Sequence, residues 1–188
     1  MDNSVHMLDI AKAKCLAYGY CPVLYHADMR SFTLQERFDL VVIPYHSMMY
    51  MLTDEDRKKV FTAVYHHLNK NGLLAFDFDT SSIPIKDTIP ALGLQGVHPF
   101  TNEVMVQIVQ IRGLQSDLRL LNQINYFIGE NPRITAEYSL EATISADHMV
   151  NILRSIGFLI EGVYGDYNRS EYKGGSECII AARKGDNK

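Results

Sequence analysis

No stretch of this 188-residue chain approaches the roughly 18 consecutive apolar residues that a membrane-spanning helix requires. The opening MDNSVHMLD carries acid where an export leader needs base, so the sequence reads as cytoplasmic. Basic charge is also in short supply: 18 Lys and Arg against 22 Asp and Glu leave a formal net charge of -4. That removes a general attraction to nucleic acid or anionic membranes and favours a small-molecule partner. Cys15, Cys21 and Cys178 are odd in number and lack CxxC spacing, which suggests neither a disulfide framework nor a zinc site and predicts buried reduced thiols. Repeats and low-complexity tracts are missing as well. What remains, 47% hydrophobic and 21% charged, has the composition of one soluble globular domain over 1–188.

Within it, SVHMLDIAKAKC sets Met7, Leu8, Ala11 and Cys15 at helical spacing behind Ser4 as N-cap, predicting an amphipathic helix over about 4–17. PVLYHADM reads as a strand ending near Asp28. Leu40 to Ile43, between Asp39 and Pro44, is the short apolar run of a strand buried on both faces. Thr53 with Asp56 resembles a capping box and opens a helix whose stripe is Val60, Phe61, Val64 and Leu68, with Asn71-Gly72 as its stop. GLLAFDFDT follows at once as a second buried strand, so strand, helix and strand form a right-handed βαβ unit.

From about 83 to 100, Pro84, Pro90, Pro99, Gly93 and Gly96 predict an irregular connection. EVMVQIVQIRG, DLRLLNQINYFIG and ITAEYSLEA then read as an antiparallel meander of three strands, an insertion over 101–143. A helix capped by Ser145 and stopped by Gly157 restores the α/β pattern, FLIEGVYGD and SECIIAAR close it as a β-hairpin, and the tail KGDNK is expected to fray. The fold class is therefore α/β, Rossmann-like, with a mostly parallel sheet, an inserted antiparallel meander and a C-terminal hairpin.

Polar clusters follow the successive strand ends: Asp2, Asp28, then Tyr45, His46 and Ser47, then Asp77 and Asp79. Ligands of open parallel sheets bind outside the carboxyl ends of the strands, so these groups are expected along one rim of one cleft. The alternative is that they are turn formers and helix caps. His66 and His67 are helix neighbours facing different ways, and His6, His26, His98 and His148 show no ligand spacing, so no metal site is expected.

The ordered set DNSVHMLDIAKAK, ADMRSF and FDLVVIPYHSMMYMLTDEDRKKVFTAVYHHLNKNGLLAFDFD, closed by FLIEGVYGDYNRSEYKGGSECIIAARK, resembles the class I S-adenosylmethionine-dependent methyltransferases over nearly the whole chain. The likeness is to small bacterial enzymes acting on amino sugars or other small molecules. It implies S-adenosylmethionine as cofactor and a small-molecule acceptor with an N or O nucleophile. It also implies that Asp2 holds the ribose hydroxyls, that Met7 lies near the adenine, and that Asp28 and the Met29 backbone meet the adenine amino group. Tyr45 and His46 would approach the methionine part and the transfer point, with Tyr50 beside them; His46 and Tyr50 are the catalytic candidates. The acceptor side would draw on Tyr126, Tyr164, Asp166 and Tyr167. For Met7 and Tyr126 ordinary packing is the competing reading, and for His46 a structural hydrogen bond.

The family's glycine-rich turn has no counterpart here, and by the resemblance its first strand, that turn and the following helix would precede Met1, making the sheet N-terminally incomplete. A homodimer or a rearranged sheet is the expected response to the open edge. Two functions stay open: a methyltransferase, or a non-catalytic remnant serving as an interaction or oligomerisation module.

Overall fold

The computed structural model describes residues 1–80, 85–97, 102–115 and 117–185. Pro84, His98, Pro99 and the end of the tail from Asp186 lie outside the described residues. The element order is α1 (Val5–Ala17), β1 (Phe38–Ile43), a 3-10 turn (Ser47–Tyr50), α2 (Asp54–His67), β2 (Leu68–Asp79), β3 (Ala91–Val97), β4 (Val104–Gly113), β5 (Leu118–Ile128), β6 (Arg133–Ala142), α3 (Ala146–Ile156), β7 (Phe158–Tyr164) and β8 (Glu177–Lys184). No helix among these residues is long and apolar enough to cross a membrane.

Two four-stranded sheets result, ordered β1-β2-β8-β7 and β3-β4-β5-β6. In the first, β1 and β2 are parallel, while β8 runs antiparallel to both β2 and β7. Three strands therefore point the same way, and β8 begins where the others end. One face of this sheet is covered by α2 and α3: Val60, Phe61 and Val64 with Met149, Ile152 and Leu153 meet Leu74, Phe76 and Phe78 of β2 and Cys178, Ile180 and Ala182 of β8. Each large side chain so buried contributes about 1.5–3 kcal/mol, which makes this layer the main source of stability. Thr53 and Ser145 cap the two helices through the backbone N–H of Asp56 and His148, and Gly157 ends α3 at φ 113°, as their sequences predict.

Five expectations change. PVLYHADM forms no named strand; its one ladder contact is a parallel bridge between Asp2 and His26, because no described strand runs beside it to extend the pairing. Helix α2 stops at His67 rather than at Asn71-Gly72, since Leu68 is already extended and pairs with Phe38. Asn71, at φ 61°, and Gly72 instead form an irregularity inside β2, where a Cβ on Gly72 would meet the Asn69 and Phe38 carbonyls at 3.0 Å. The meander has four strands, because the stretch read as irregular holds β3. Its Gly93 leaves room for Val109 and Gln107 of β4, which a Cβ would approach to 2.6 and 2.9 Å. Finally, α1 forms as predicted but buries no residue, and of the cysteines only Cys178 is buried.

The second sheet is tied to the first by Arg119 of β5. Its guanidinium donates to Asp79 at the end of β2 (2.7 Å) and to Glu141 of β6 (2.8 Å), with all three side chains largely buried. Both carboxylates hold its charge, so the Arg119 pKa lies above its ordinary value although burial opposes this. Removing one member of a buried ion network leaves the others uncompensated. Arg119→Ala is therefore expected to cost about 3–5 kcal/mol of unfolding free energy, measured by urea denaturation.

Candidate functional site

The outer edge of β1 pairs with no other named strand among the described residues. Across from it runs the segment held by the Asp2–His26 bridge, where the Asp2 N–H donates to the Tyr25 carbonyl and the Ala27 N–H to the Asp2 carbonyl, both at 3.1 Å. Between them opens a cavity of about 680 Å³, with Asp2, Tyr25 and Asp28 on one bank and Leu40, Val42 and Ile43 on the other. His67 secures the loop beneath by accepting from the Leu34 N–H (2.9 Å) while its other ring nitrogen sits 2.7 Å from the Ala63 carbonyl. This histidine is thus a structural hydrogen-bonder.

The two acids of the cavity are in different states. Asp2 accepts from the Ser4 N–H through Oδ1 (2.8 Å). Asp28 is engaged by Arg30 three ways: by its backbone N–H (2.9 Å), by Nε (3.0 Å) and by Nη2 (2.6 Å). Those hydrogen bonds hold the Asp28 carboxyl below its ordinary pKa. Arg30 also reaches Asp56 at the start of α2 (3.5 Å), so the Asp28 turn is fastened to the helix.

At the carboxyl end of β1 the chain turns through two consecutive left-handed residues, Tyr45 (φ 59°) and His46 (φ 53°). Neither is glycine, and each such residue costs on the order of 1–3 kcal/mol unless its surroundings hold it. They do: the His46 N–H donates to Asp77 Oδ2 (3.0 Å), Ser47 Oγ donates to the Pro44 carbonyl (2.7 Å), and Met48 and Met49 are buried immediately after. The turn brings His46 Nε2 to 3.3 Å from Asp77 Oδ2 and to 3.3 Å from Glu177 Oε1. Asp77 is buried, whereas the His46 and Glu177 side chains are 39% and 36% exposed, so the cluster opens to solvent on one side. Tyr167, although largely exposed, stands beside it: slight burial and the Asp77 and Glu177 charges raise its phenol above the ordinary value. Burial, then the Glu177 charge, pushes the adjoining Cys178 thiol up to about 12, which makes it inert.

The candidate residues thus divide. Asp2, Asp28, Met29 and Tyr50 line the cavity, and His46, Tyr45 and Tyr167 gather at the end of β1. Met7 stands about half exposed on α1, outside the cavity lining and outside the core. Tyr126 lies on β5 between Val106 and Ile134, the sheet-packing position. Asp166 accepts from the Asn168 and Ser170 N–H groups and so shapes its own turn, while the Tyr164 ring lies over Gly162. Glu177 was not singled out from the sequence. Its signal was the hairpin itself, because the second strand of a hairpin starts where the first one ends.

Residues 1–72 match a family described as "Methyltransferase domain". The chain is similar to "Putative methyltransferase YqeM" of Bacillus subtilis (strain 168), with 27% identity over 184 residues that span 96% of this chain and 72% of that protein. Among solved structures, an S-adenosylmethionine-dependent methyltransferase from Clostridium acetobutylicum ATCC 824 shares the fold with a TM-score of 0.82, at 21% identity, covering 97% of this chain and 72% of the other. The sugar N-methyltransferase KedS8 from Streptoalloteichus sp ATCC 53650 does so with a TM-score of 0.75, at 19% identity, covering 97% and 69%. The chain thus has the fold of S-adenosylmethionine-dependent methyltransferases, and its first 72 residues match a methyltransferase-domain family.

Proposed function

We propose that this chain serves the transfer of a methyl group from S-adenosylmethionine to a nitrogen or oxygen nucleophile of a small molecule. The observation that carries the reading is the sharing of one strand by two environments: the acid-bordered cavity along the outer edge of β1, and the His46–Asp77–Glu177 cluster at its carboxyl end. The cavity suits such a ligand. Its volume of about 680 Å³ lies within the roughly 300–1,000 Å³ usual for small-molecule sites, and its banks are apolar with few polar groups. Asp2 donates no proton and accepts through two oxygens, which fits a vicinal diol. Asp28 meets an exocyclic amine once Arg30 shares it.

When bound, the cofactor would supply a sulfonium methyl group whose carbon the acceptor's lone pair attacks in line, with S-adenosylhomocysteine as the leaving group. Positioning provides much of such an acceleration, and the chain's own part is to hold the acceptor and take its proton. His46 Nε2 is the group for the proton, and the carboxylates of Asp77 and Glu177 beside it stabilise the imidazolium that results. Tyr45 and Tyr167 border the open side, where an acceptor enters.

The outer edge of β1 favours a second reading, an interaction or oligomerisation module. Leu40 and Val42 are more than half exposed, and α1 exposes Val5, Met7, Ile10 and Leu16. Concentration-dependent association in sedimentation, without any heat on adding S-adenosylhomocysteine, is the outcome that would select it.

For the leading reading, calorimetry with S-adenosylhomocysteine is expected to detect binding that Asp2→Ala weakens by about 1–3 kcal/mol, the loss of a charge-assisted hydrogen bond. Silence at millimolar ligand would end the proposal. The Asp28 carboxyl offers a separate check by NMR titration. Its folded pKa is depressed, so its contribution to stability is complete above the ordinary value of 3.8 and is lost as the pH falls through the folded one. Arg30→Met should raise the Asp28 midpoint, because the side-chain hydrogen bonds and charge are lost while the backbone N–H of residue 30 remains, and should reduce that part of the acid sensitivity.

A further inference from the structure

We propose that His46, Asp77 and Glu177 bind a divalent first-row transition ion such as Zn²⁺. Among the described residues theirs is the one group of three or more His, Cys, Asp or Glu side chains whose ligand atoms all lie within 4.8 Å of one another. The spacing is what ligation requires. Ligands about 2.0–2.1 Å from a tetrahedral ion stand about 3.3–3.4 Å apart. His46 Nε2 stands 3.3 Å from Asp77 Oδ2 and 3.3 Å from Glu177 Oε1, long for charged hydrogen bonds but suitable for two edges of that tetrahedron.

The donor set, one imidazole nitrogen and two carboxylate oxygens, selects ions between the soft thiolate-bound metals and the all-oxygen hard cations. Its charge points the same way. Two carboxylates converge on one imidazole, and the ion pairs and hydrogen bonds recorded at Asp77 and Glu177 include no lysine or arginine, so a dication completes the neutralisation. The ligands are also held in place. Asp77 is buried and accepts from the His46 N–H, and the left-handed turn fixes the imidazole over it. Rigid support of this kind is what metal sites depend on. Three protein ligands with one side open to solvent leave a coordination position for water or for an acceptor hydroxyl or amine, as in catalytic rather than structural metal sites. An ion here takes over acceptor activation from the free imidazole, acting as a Lewis acid next to the cavity.

The experiment needs neither cofactor nor acceptor, so it separates this inference from the methyltransferase reading. Chelator-stripped protein is titrated with Zn²⁺ by calorimetry and with Co²⁺ by visible absorption, with circular dichroism of every variant as the check on folding. One ion per chain is expected, with the absorption bands of a low-coordinate Co²⁺ site. Glu177→Gln and His46→Gln should each weaken binding at least tenfold. His148→Gln, at the other histidine–carboxylate pair with Asp54, should leave it unchanged. Absence of binding up to millimolar ion overturns the inference, as does binding that survives both Glu177→Gln and His46→Gln or that disappears with His148→Gln.

Discussion

The structure depends on the parallel ladder between β1 and β2. Its register, from Leu40 opposite Leu73 to Ile43 opposite Phe76, fixes which residues stand side by side once the strands end. Pro44 to Ser47 therefore emerge next to Asp77 and Asp79, and the His46 N–H reaches Asp77 Oδ2. A slip of one residue would turn Asp77 away from His46 and put Phe76 or Phe78 in its place, because side chains alternate along a strand. The Phe61–Phe76 and Phe76–Phe78 ring contacts, at 5.2 and 5.7 Å between centroids, lock that register from the core side. Hydrophobic packing under the sheet thus sets polar geometry at its rim.

The same ladder makes a strained turn affordable. Tyr45 and His46 both occupy the left-handed region without being glycine, an arrangement that local sequence alone does not favour. Buried Met48 and Met49 hold the far side of the turn, and Asp77 holds the near side. Arg119 joins Asp79, two residues further along β2, to Glu141 of the second sheet and reaches Met49 Sδ at 3.8 Å. The meander is therefore more than an appendage, because its one buried arginine braces the strand end and the turn on which His46 sits.

How far this was legible in the sequence follows from what each feature depends on. Caps and stripes are local, so α2 and α3 could be read from Thr53, Ser145, Gly157 and their apolar spacing. Apolar runs mark strands, so Leu40–Ile43 and Leu73–Phe78 were visible, and with them the rim; but β1 is not buried on both faces as its apolar run predicts, since it lies at the sheet edge with Leu40 and Val42 more than half exposed. Strand β3 was not. It lies at a sheet edge with every residue exposed, which erases the alternation that marks a half-buried strand. PVLYHADM failed the other way: its pattern is that of a strand, but a strand exists only where a partner accepts its hydrogen bonds. The His46–Asp77–Glu177 cluster escaped because its members lie 31 and 131 positions from the histidine, and spacing rules detect only ligands on one local element. Direction of travel was the missing inference. Once SECIIAAR is the return strand of a hairpin, its first acid must arrive at the rim.

Strand β1 is then a wall between two kinds of chemistry. Along its outer edge, aliphatic side chains and unpaired backbone face a cavity whose opposite bank carries Asp2 and the Asp28–Arg30 pair. Such a surface gains by covering flat, partly apolar ligand area and by accepting hydrogen bonds from it. At its carboxyl end, charge is concentrated within a few ångströms and only partly solvated, so interactions there are stronger and more selective for cations, protons and polarised nucleophiles. The two environments adjoin in the chain: Pro44 and Ser47, which line the cavity, flank His46 of the cluster in sequence. Polar residues crowd the carboxyl end of β1 while its middle, Leu40 to Ile43, is aliphatic.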